Sequence, residues 1–481
     1  MPGEQDIIRT CGMLAAEVPS METLPLYGSL PKQLQDRIYH KSSNGKCIVS
    51  TNIAETSLTI PNLVFVIDSG LAKEMLWNPR VRMNQLLRVP ISRFSADQRK
   101  GRAGRISDGV CIRLYTQSAF QTEFRQSTMP AIRSSRMESE VLALLCAGHR
   151  NLLGLDFLDS PDPENIASAI RELLDLRLIT GSDQVNETGQ VMLPRLSPTV
   201  DGRLAVQFPI APVMFRVLES AARLECLEEM CAIVAASSQQ NPIWVRPTEF
   251  ADAADLHGPA LFAHPLSDHI TSLNAVQAYA KAFMEKKVDL NEWCLENFLS
   301  RAALDSVCTL RNRLIKLAEK RWPGCIPTVA DDISADEYHV RIRKALAIGL
   351  CTQSAVKKIK TDLHMTVNYN KGGIISAESS VLYHGYDLSS MPINRASNGF
   401  PAYQWIVYDE FVSVAGKPTF SNVTVIEPEW VCNEEFMSRD RATKKYNGQL
   451  KQPKIQANLA AARQSMADTA AATASMTQVT I

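Results

Sequence analysis

Three arginines recur at three-residue spacing in Gln98-Arg99-Lys100-Gly101-Arg102-Ala103-Gly104-Arg105. A guanidinium is permanently charged, planar and forked, so a cluster of them suits phosphate oxygens. Gly101, Ala103 and Gly104 are small and let backbone or phosphate approach closely. A solvated basic helix or a nuclear-localisation patch would also be arginine-rich. Neither needs the Gly-x-x-Gly punctuation, so the stretch points to charge neutralisation at a bound phosphate.

A second polar cluster lies upstream, at Ser50-Thr51-Asn52-Ile53-Ala54-Glu55-Thr56-Ser57-Leu58-Thr59. It follows one apolar run and precedes another. Polar residues at the C-terminal end of a strand sit where open α/β sheets bind ligands. Taken alone, a helix-capping turn explains the cluster equally well. Residues 71–115 add ten Lys or Arg against Glu74, Asp97 and Asp108, a local excess of seven positive charges within a chain of 51 basic and 51 acidic residues. Such a stretch is a candidate phosphate-binding face.

The elements that must position these residues begin with short β-branched runs at 47–50, 63–67 and 111–115, with helical patterns such as 34–40 among them. That alternation reads as a parallel α/β sheet. From about Arg136 the pattern becomes helical, at 137–147, 166–178, 214–238, 272–285 and 290–320, with a wing or turn at 188–192. A break at Trp322-Pro323-Gly324-Cys325 suggests a boundary. One more helix (337–350) precedes strand-like runs at 403–408 and 423–426, which suggest a small β-barrel. The tail after Leu459 has few large apolar residues and is expected to be disordered.

The 481 residues suffice for several domains, and 45% apolar with 21% charged residues is an ordinary globular composition. Eleven cysteines without a CxxC pair argue against a disulfide framework or a zinc site and for a reducing compartment. The polar start carries no signal peptide and no long apolar span occurs, so the expectation is a nuclear or cytoplasmic protein, not secreted and without a membrane. His257, His264 and His269 are spaced by seven and five and do not share a helix face, which makes a structural role the simpler account. Cys226 and Cys231 are expected to be core thiols, and Asp159, Asp162 and Glu164 a solvated helix start.

Residues 98–105 match QRxGRAGR in every fixed position, and the chain resembles the C-terminal half of a DEAH-box ATP-dependent RNA helicase (DEAH/RHA type, superfamily 2). Residues 50–60 resemble that family's motif V, and Pro2-Gly3-Glu4-Gln5-Asp6-Ile7 its motif IV. Leu24-Pro25-Leu26-Tyr27-Gly28-Ser29-Leu30-Pro31 resembles its characteristic turn. Further likenesses run through Phe157-Leu158-Asp159-Ser160-Pro161, Phe208-Pro209-Ile210-Ala211-Pro212, Asp268-His269-Ile270-Thr271 and Val425-Ile426-Glu427-Pro428-Glu429-Trp430. The implied fold is multidomain α/β + α + β. It has a truncated RecA-like parallel sheet domain over 1–127 with its first strand missing. A winged helix over 128–196, a helical ratchet bundle (HA2-like) over 197–327, an OB-fold over 328–440 and a disordered tail over 441–481 complete it.

The resemblance also implies roles. Gln98, Arg102 and Arg105 would face the ATP γ-phosphate, an arginine-finger arrangement worth about 10³ to 10⁵ in rate in related NTPases. Tyr39 would stack on the base, and Ser57 and Thr59 would lie at the nucleotide, although the aspartate two residues beyond Thr59 is Pro61 here. Thr51, Asn52, Arg80 and Lys417 would contact RNA, and the hairpin over 77–92 would help separate strands. The family's Pro-Glu-Ile-x-Arg is Pro130-Ala131-Ile132-Arg133-Ser134, a bundle arginine position falls on Ala302 beside Arg301, and its Thr-Ser-Lys loop is Ala415-Gly416-Lys417. These departures imply weaker or differently placed RNA contacts.

No GxxxxGK[ST] loop is found, and neither a DEAH nor a DExH box is read in the sequence. ATP and Mg²⁺ therefore belong to the complete helicase, with no metal ligand expected within this chain and no ATP hydrolysis by it alone. The implied partners are single-stranded RNA, a first RecA-like domain and a glycine-rich (G-patch-like) activator. The alternative from another class is a non-catalytic RNA-binding or adaptor protein derived from such a helicase.

Overall fold

A computed structural model describes residues 1–28, 30, 32–56, 58–185, 191–246, 259–286, 288–325, 334–358, 361–383, 405–414, 416–438, 450 and 452–479. The chain divides into two compact units. The first comprises 1–77 and 85–135, and the second 136–481 together with 78–84.

The first unit opens with α1 (Glu4–Glu17), β1 (Glu22–Leu26), α2 (Lys32–Asp36) and a 3₁₀ turn, Arg37–Tyr39. It continues with β2 (Lys46–Ser50), α3 (Ile53–Thr56), β3 (Phe65–Asp68), the hairpin strands β4 (Leu71–Asn78) and β5 (Met83–Pro90), and α4 (Arg93–Lys100). Last come β6 (Val110–Arg113), α5 (Gln117–Thr122) and α6 (Ala131–Ser134). β1 runs parallel to β2, with Leu24 opposite Ile48, and β3 runs parallel to β6, with Ile67 opposite Ile112. Where the family resemblance implies a turn from Leu24, residues Glu22–Leu26 form a strand. Leu24 and Leu26 drive this by burying their side chains against Ile38. On α1, Ile7 is fully buried and packs with Tyr27, Leu30 and Val49. One face of the β3–β6 pair stays open, with Phe65 63% and Ile67 66% exposed, unlike a parallel sheet covered on both sides.

The second unit begins with α7 (Glu138–Cys146), α8 (Pro163–Asp175), the antiparallel strands β7 (Ile179–Val185) and β8 (Val191–Pro198), and α9 (Val200–Ala205). Residues 186–190, where the sequence suggests a wing, lie outside the described residues. Asp162 caps α8 by accepting from the Glu164 amide at 2.8 Å, with Pro163 in the first turn, the helix start expected from the acidic cluster.

Next come α10 (Pro212–Arg223), α11 (Leu227–Ser237), α12 (Pro259–Phe262), α13 (Asp268–Glu285), α14 (Leu290–Glu296), α15 (Arg301–Arg321) and α16 (Ala335–Gly349). The two long helical runs expected at 214–238 and 290–320 are each broken in two, around Glu225 (φ 56°) and Phe298 (φ 53°). Apolar periodicity continues across both breaks, so it could not reveal them. α10 packs closely on α16: Ser220 Oγ donates to the Ala345 carbonyl at 2.7 Å, and a Cβ on Gly349 would sit 2.5 Å from the Val217 Cα.

The strands β9 (Ser354–Lys357), β10 (His364–Thr366), β11 (Gly372–Ile375), β12 (Trp405–Val414) and β13 (Lys417–Ile426) close a five-stranded barrel, in the order β13-β11-β10-β9-β12 with β12 returning to β13. Stacked Phe411 and Phe420, with centroids 4.5 Å apart, fill its interior. Short helices α17 (Ser380–Tyr383) and α18 (Glu435–Ser438) lead to α19 (Pro453–Val479). Within the tail expected to be disordered, Pro453–Val479 is thus helical. Its alanine-rich composition favours helix, and Ile455, Leu459 and Ala462 are buried. Among the described residues, no helix is long and apolar enough to cross a membrane.

Candidate functional site

The arginine-bearing segment is held by its own helix start. Ser92 caps α4, its hydroxyl accepting from the Ser95 amide at 3.0 Å, and Ala96 is fully buried. Beyond α4 the chain turns through Gly104 (φ 77°), a left-handed conformation that glycine adopts without strain. Any Cβ on Gly109 would lie 2.4 Å from the Gly104 amide nitrogen, so the loop carrying Arg105 folds back tightly on itself.

The three arginines are treated differently. Arg99 is an internal strut: its Nε donates to Glu55 at 3.0 Å, and one terminal nitrogen donates to Asp68 at 2.9 Å and to the Leu71 carbonyl at 3.3 Å. Asp68 is 2% exposed and also accepts from the Gly70 amide and the Tyr115 hydroxyl. Burial, followed by that hydrogen bond, raises the Tyr115 pKa and keeps it a donor. The strut fixes α4 against α3 and the C-terminal end of β3.

Arg102 and Arg105 contact neutral oxygens instead. Arg102 donates to the Leu58 carbonyl at 3.2 Å and to the Gln98 carbonyl at 3.5 Å. Arg105 donates to the Thr59 hydroxyl at 3.1 Å and to the Gly101 carbonyl at 3.4 Å. Burial, then the like charge of Arg105, lowers the Arg102 pKa, with Glu55 opposing. Glu55 is already committed to Arg99, so among the described residues neither guanidinium has a carboxylate in ion-pair contact. Two adjacent guanidiniums without a contacting carboxylate are a candidate anion site. The geometry suits a polyphosphate, whose oxygens can accept from both.

The structure therefore joins Thr59 to Arg105 and brings Arg102 onto the same polar turn, with Gln98 half-buried on α4. Tyr39 is 44% exposed at the end of its 3₁₀ turn, anchored by Lys46 Nζ donating to the His40 carbonyl at 2.8 Å. None of the hydrogen bonds of Arg102 or Arg105 involves it. Ser57 lies outside the described residues. Thr51 and exposed Asn52 form the turn after β2, the Thr51 amide donating to the Leu26 carbonyl at 3.1 Å and the Asn52 carbonyl accepting from the Glu55 amide at 2.9 Å.

The two remaining candidates lie in the second unit. Arg80 forms a forked pair with Glu164, at 2.8 and 2.7 Å, so its guanidinium is already occupied. Lys417 is exposed at the start of β13. Sequence reasoning missed the partners that immobilise the site. Asp68 ends the apolar run at 63–67, and Glu55 lies in the polar cluster, yet nothing in their spacing pairs either with Arg99. It also missed Arg82 (φ 49°) at the hairpin tip, whose guanidinium is buried against Glu172 and 3.9 Å from Glu138. A DExH-type string counted as absent does occur, at Asp336-Glu337-Tyr338-His339. It occupies the first turn of α16, where Ser334 caps the Glu337 amide and Glu337 pairs with Arg341 at 3.2 Å, a helix start and not the end of a strand.

Residues 5–107 match the family described as the helicase conserved C-terminal domain. That span contains β1 to β5, α2 to α4 and all but the first residue of α1, with Arg99, Arg102 and Arg105, and the match supports a helicase C-terminal domain of RecA-like α/β fold there.

Proposed function

We propose that this chain is the C-terminal portion of a DEAH-box RNA helicase, and that it presents Arg102 and Arg105 to a nucleoside triphosphate held by a first RecA-like domain. The observation that carries the proposal is that, among the described residues, no carboxylate contacts these two guanidiniums, beside a third arginine that is paired with Glu55 and Asp68. Arg99 is largely buried and must be paired, whereas exposed Arg105 and half-buried Arg102 lie side by side with like charge and would gain from an arriving anion. Gln98 and Thr59 would orient the phosphates, and Tyr39 would offer a face to the base. Bound ATP with Mg²⁺ would supply the transferable phosphoryl group, its charge neutralised in part by these arginines. We read the helices and hairpin after Arg136 as a winged helix, the helices from α10 to α15 as a ratchet bundle, and the closed barrel as an OB-fold. Thr51, Asn52 and Lys417 would follow the backbone of single-stranded RNA, and a glycine-rich activator would be a further partner.

The test is reconstitution. The purified chain is mixed with a separately expressed first RecA-like domain of a related helicase, and ATP hydrolysis is followed with and without RNA. RNA-stimulated hydrolysis in the mixture alone, lost in Arg105→Ala, is the expected result. Robust hydrolysis by this chain by itself would sink the proposal.

A further inference from the structure

Within the first unit, α1 lies antiparallel across β2. The chain just before the helix is held at the C-terminal end of the strand, where the Met1 amino group donates to the Ser50 carbonyl. The helix ends at Val18, shortly before Glu22, whose amide donates to the Gly45 carbonyl at 3.1 Å and which pairs with Lys46 at the start of β2. Ile7, Cys11 and Leu14 follow one stripe of the helix, and Cys47 and Val49 share one face of the strand. Ile7 and Val49 belong to one small core, and Cys11, Leu14 and Cys47 pack against it. From Ile7 to Cys11 the helix advances about 6 Å, and from Val49 back to Cys47 the strand covers about 6.6 Å. The antiparallel run therefore sets Cys11 opposite Cys47.

Both thiols are free and half-buried. Burial raises the pKa of each, and the charge of Cys47 raises that of Cys11 further, so the two sulfurs lie close enough to feel one another.

We propose that Cys11 and Cys47 are a dithiol–disulfide couple, oxidised by a small disulfide of the glutathione class, which staples α1 to β2. One cysteine thiolate attacks a sulfur of glutathione disulfide, forming a mixed disulfide and expelling one glutathione thiolate. The second cysteine thiolate attacks the protein sulfur of that mixed disulfide, closing the Cys11–Cys47 bond and expelling the other glutathione. Two electrons pass from the cysteines to the two glutathiones, which take up the two protons. The bridge encloses β1, α2 and the turn bearing Tyr39, and closing a loop of that length restricts the unfolded chain.

The test incubates the full chain with glutathione disulfide, traps the remaining thiols with N-ethylmaleimide and maps the peptides without reduction. A disulfide demands Cα atoms within about 7 Å, so the map reports directly on the juxtaposition. One peptide pair joined through Cys11 and Cys47 is expected. Because the attacking species is the thiolate and both thiols are held protonated, the rate should rise roughly tenfold from pH 7 to pH 8. The melting temperature should rise by several degrees and return on adding dithiothreitol. Cys11→Ser and Cys47→Ser should each abolish the cross-link and the rise, with Cys47→Val in place of the serine should circular dichroism show that variant unfolded. Separate glutathione adducts on the two cysteines, a cross-link of either to another cysteine in its place, or no reaction overturns the proposal. No outcome depends on the ATP-facing arginines, so this proposal and the proposed function fail separately.

Discussion

The Arg99 guanidinium lies 2.9 Å from the Asp68 carboxylate, which has no exposed side-chain surface, and together they tie the helix carrying the arginine segment to the end of a parallel strand. A charged pair in that setting contributes order more than net stability, because desolvation offsets much of the attraction. Removing one partner is another matter, since it leaves the other buried and uncompensated.

Arg99→Ala should therefore destabilise the first unit by about 3–5 kcal/mol. Thermal unfolding followed by circular dichroism would register it. A loss no larger than that of an exposed substitution would mean the strut is dispensable.

Arg105→Ala should leave the melting temperature nearly unchanged, because Arg105 is exposed and touches only a hydroxyl and a carbonyl. In the reconstituted mixture, hydrolysis should fall by about 10³-fold or more. Parallel losses of stability and activity would assign Arg105 a structural role instead.

Two neighbouring arginines of the hairpin should behave oppositely. Arg82 has 8% of its side chain exposed, against Glu172 at 1%, so Arg82→Ala should cost the second unit about 3–5 kcal/mol. Arg80→Ala breaks only an exposed pair with Glu164 and should leave denaturant unfolding unchanged within error. Equal effects would contradict the burial argument.

His269 and Asp409 make stability depend on pH. Burial disfavours the charged imidazole, but the charge and 2.8 Å hydrogen bond of Asp409 outweigh it and raise the His269 pKa above 6.5. Burial likewise opposes the Asp409 charge, yet His269 and hydrogen bonds from Ser237 and Asn422 bring its pKa below 3.8. The histidine contribution is complete below pH 6.5 and lost as pH rises through its higher folded value. The aspartate contribution is complete above pH 3.8 and lost as pH falls through its lower folded value. The stability of the second unit should thus fall on the alkaline side, and His269→Gln should remove that limb. A flat profile in the parent protein would refute the assignment.

RNA affinity should be tolerant of sequence and steeply salt-dependent, because backbone contacts release counterions. Titration of labelled single strands at two salt concentrations measures this. Equal affinity at both, or strong preference for one sequence, would count against binding through Thr51, Asn52 and the basic stretch.

Local pattern was enough to locate the elements that position the site. β-branched runs announced β2, β3 and β6, and the Gly-punctuated arginines at 98–105 fall within the span that matches a helicase C-terminal domain, because strand propensity and motif chemistry are properties of adjacent residues. Local pattern failed where burial decided. The strand at 22–26 went unread until Leu24 and Leu26 found Ile38, and the tail at 453–479 looked disordered until Ile455 and Leu459 found a core. The distinction among Arg99, Arg102 and Arg105 is wholly tertiary. Their residue type and spacing are the same, and only the placement of Glu55 and Asp68, 44 and 31 residues away, makes one a strut and, among the described residues, leaves the other two with no carboxylate in contact. A carboxylate neutralises what it touches, and chain distance does not specify touch.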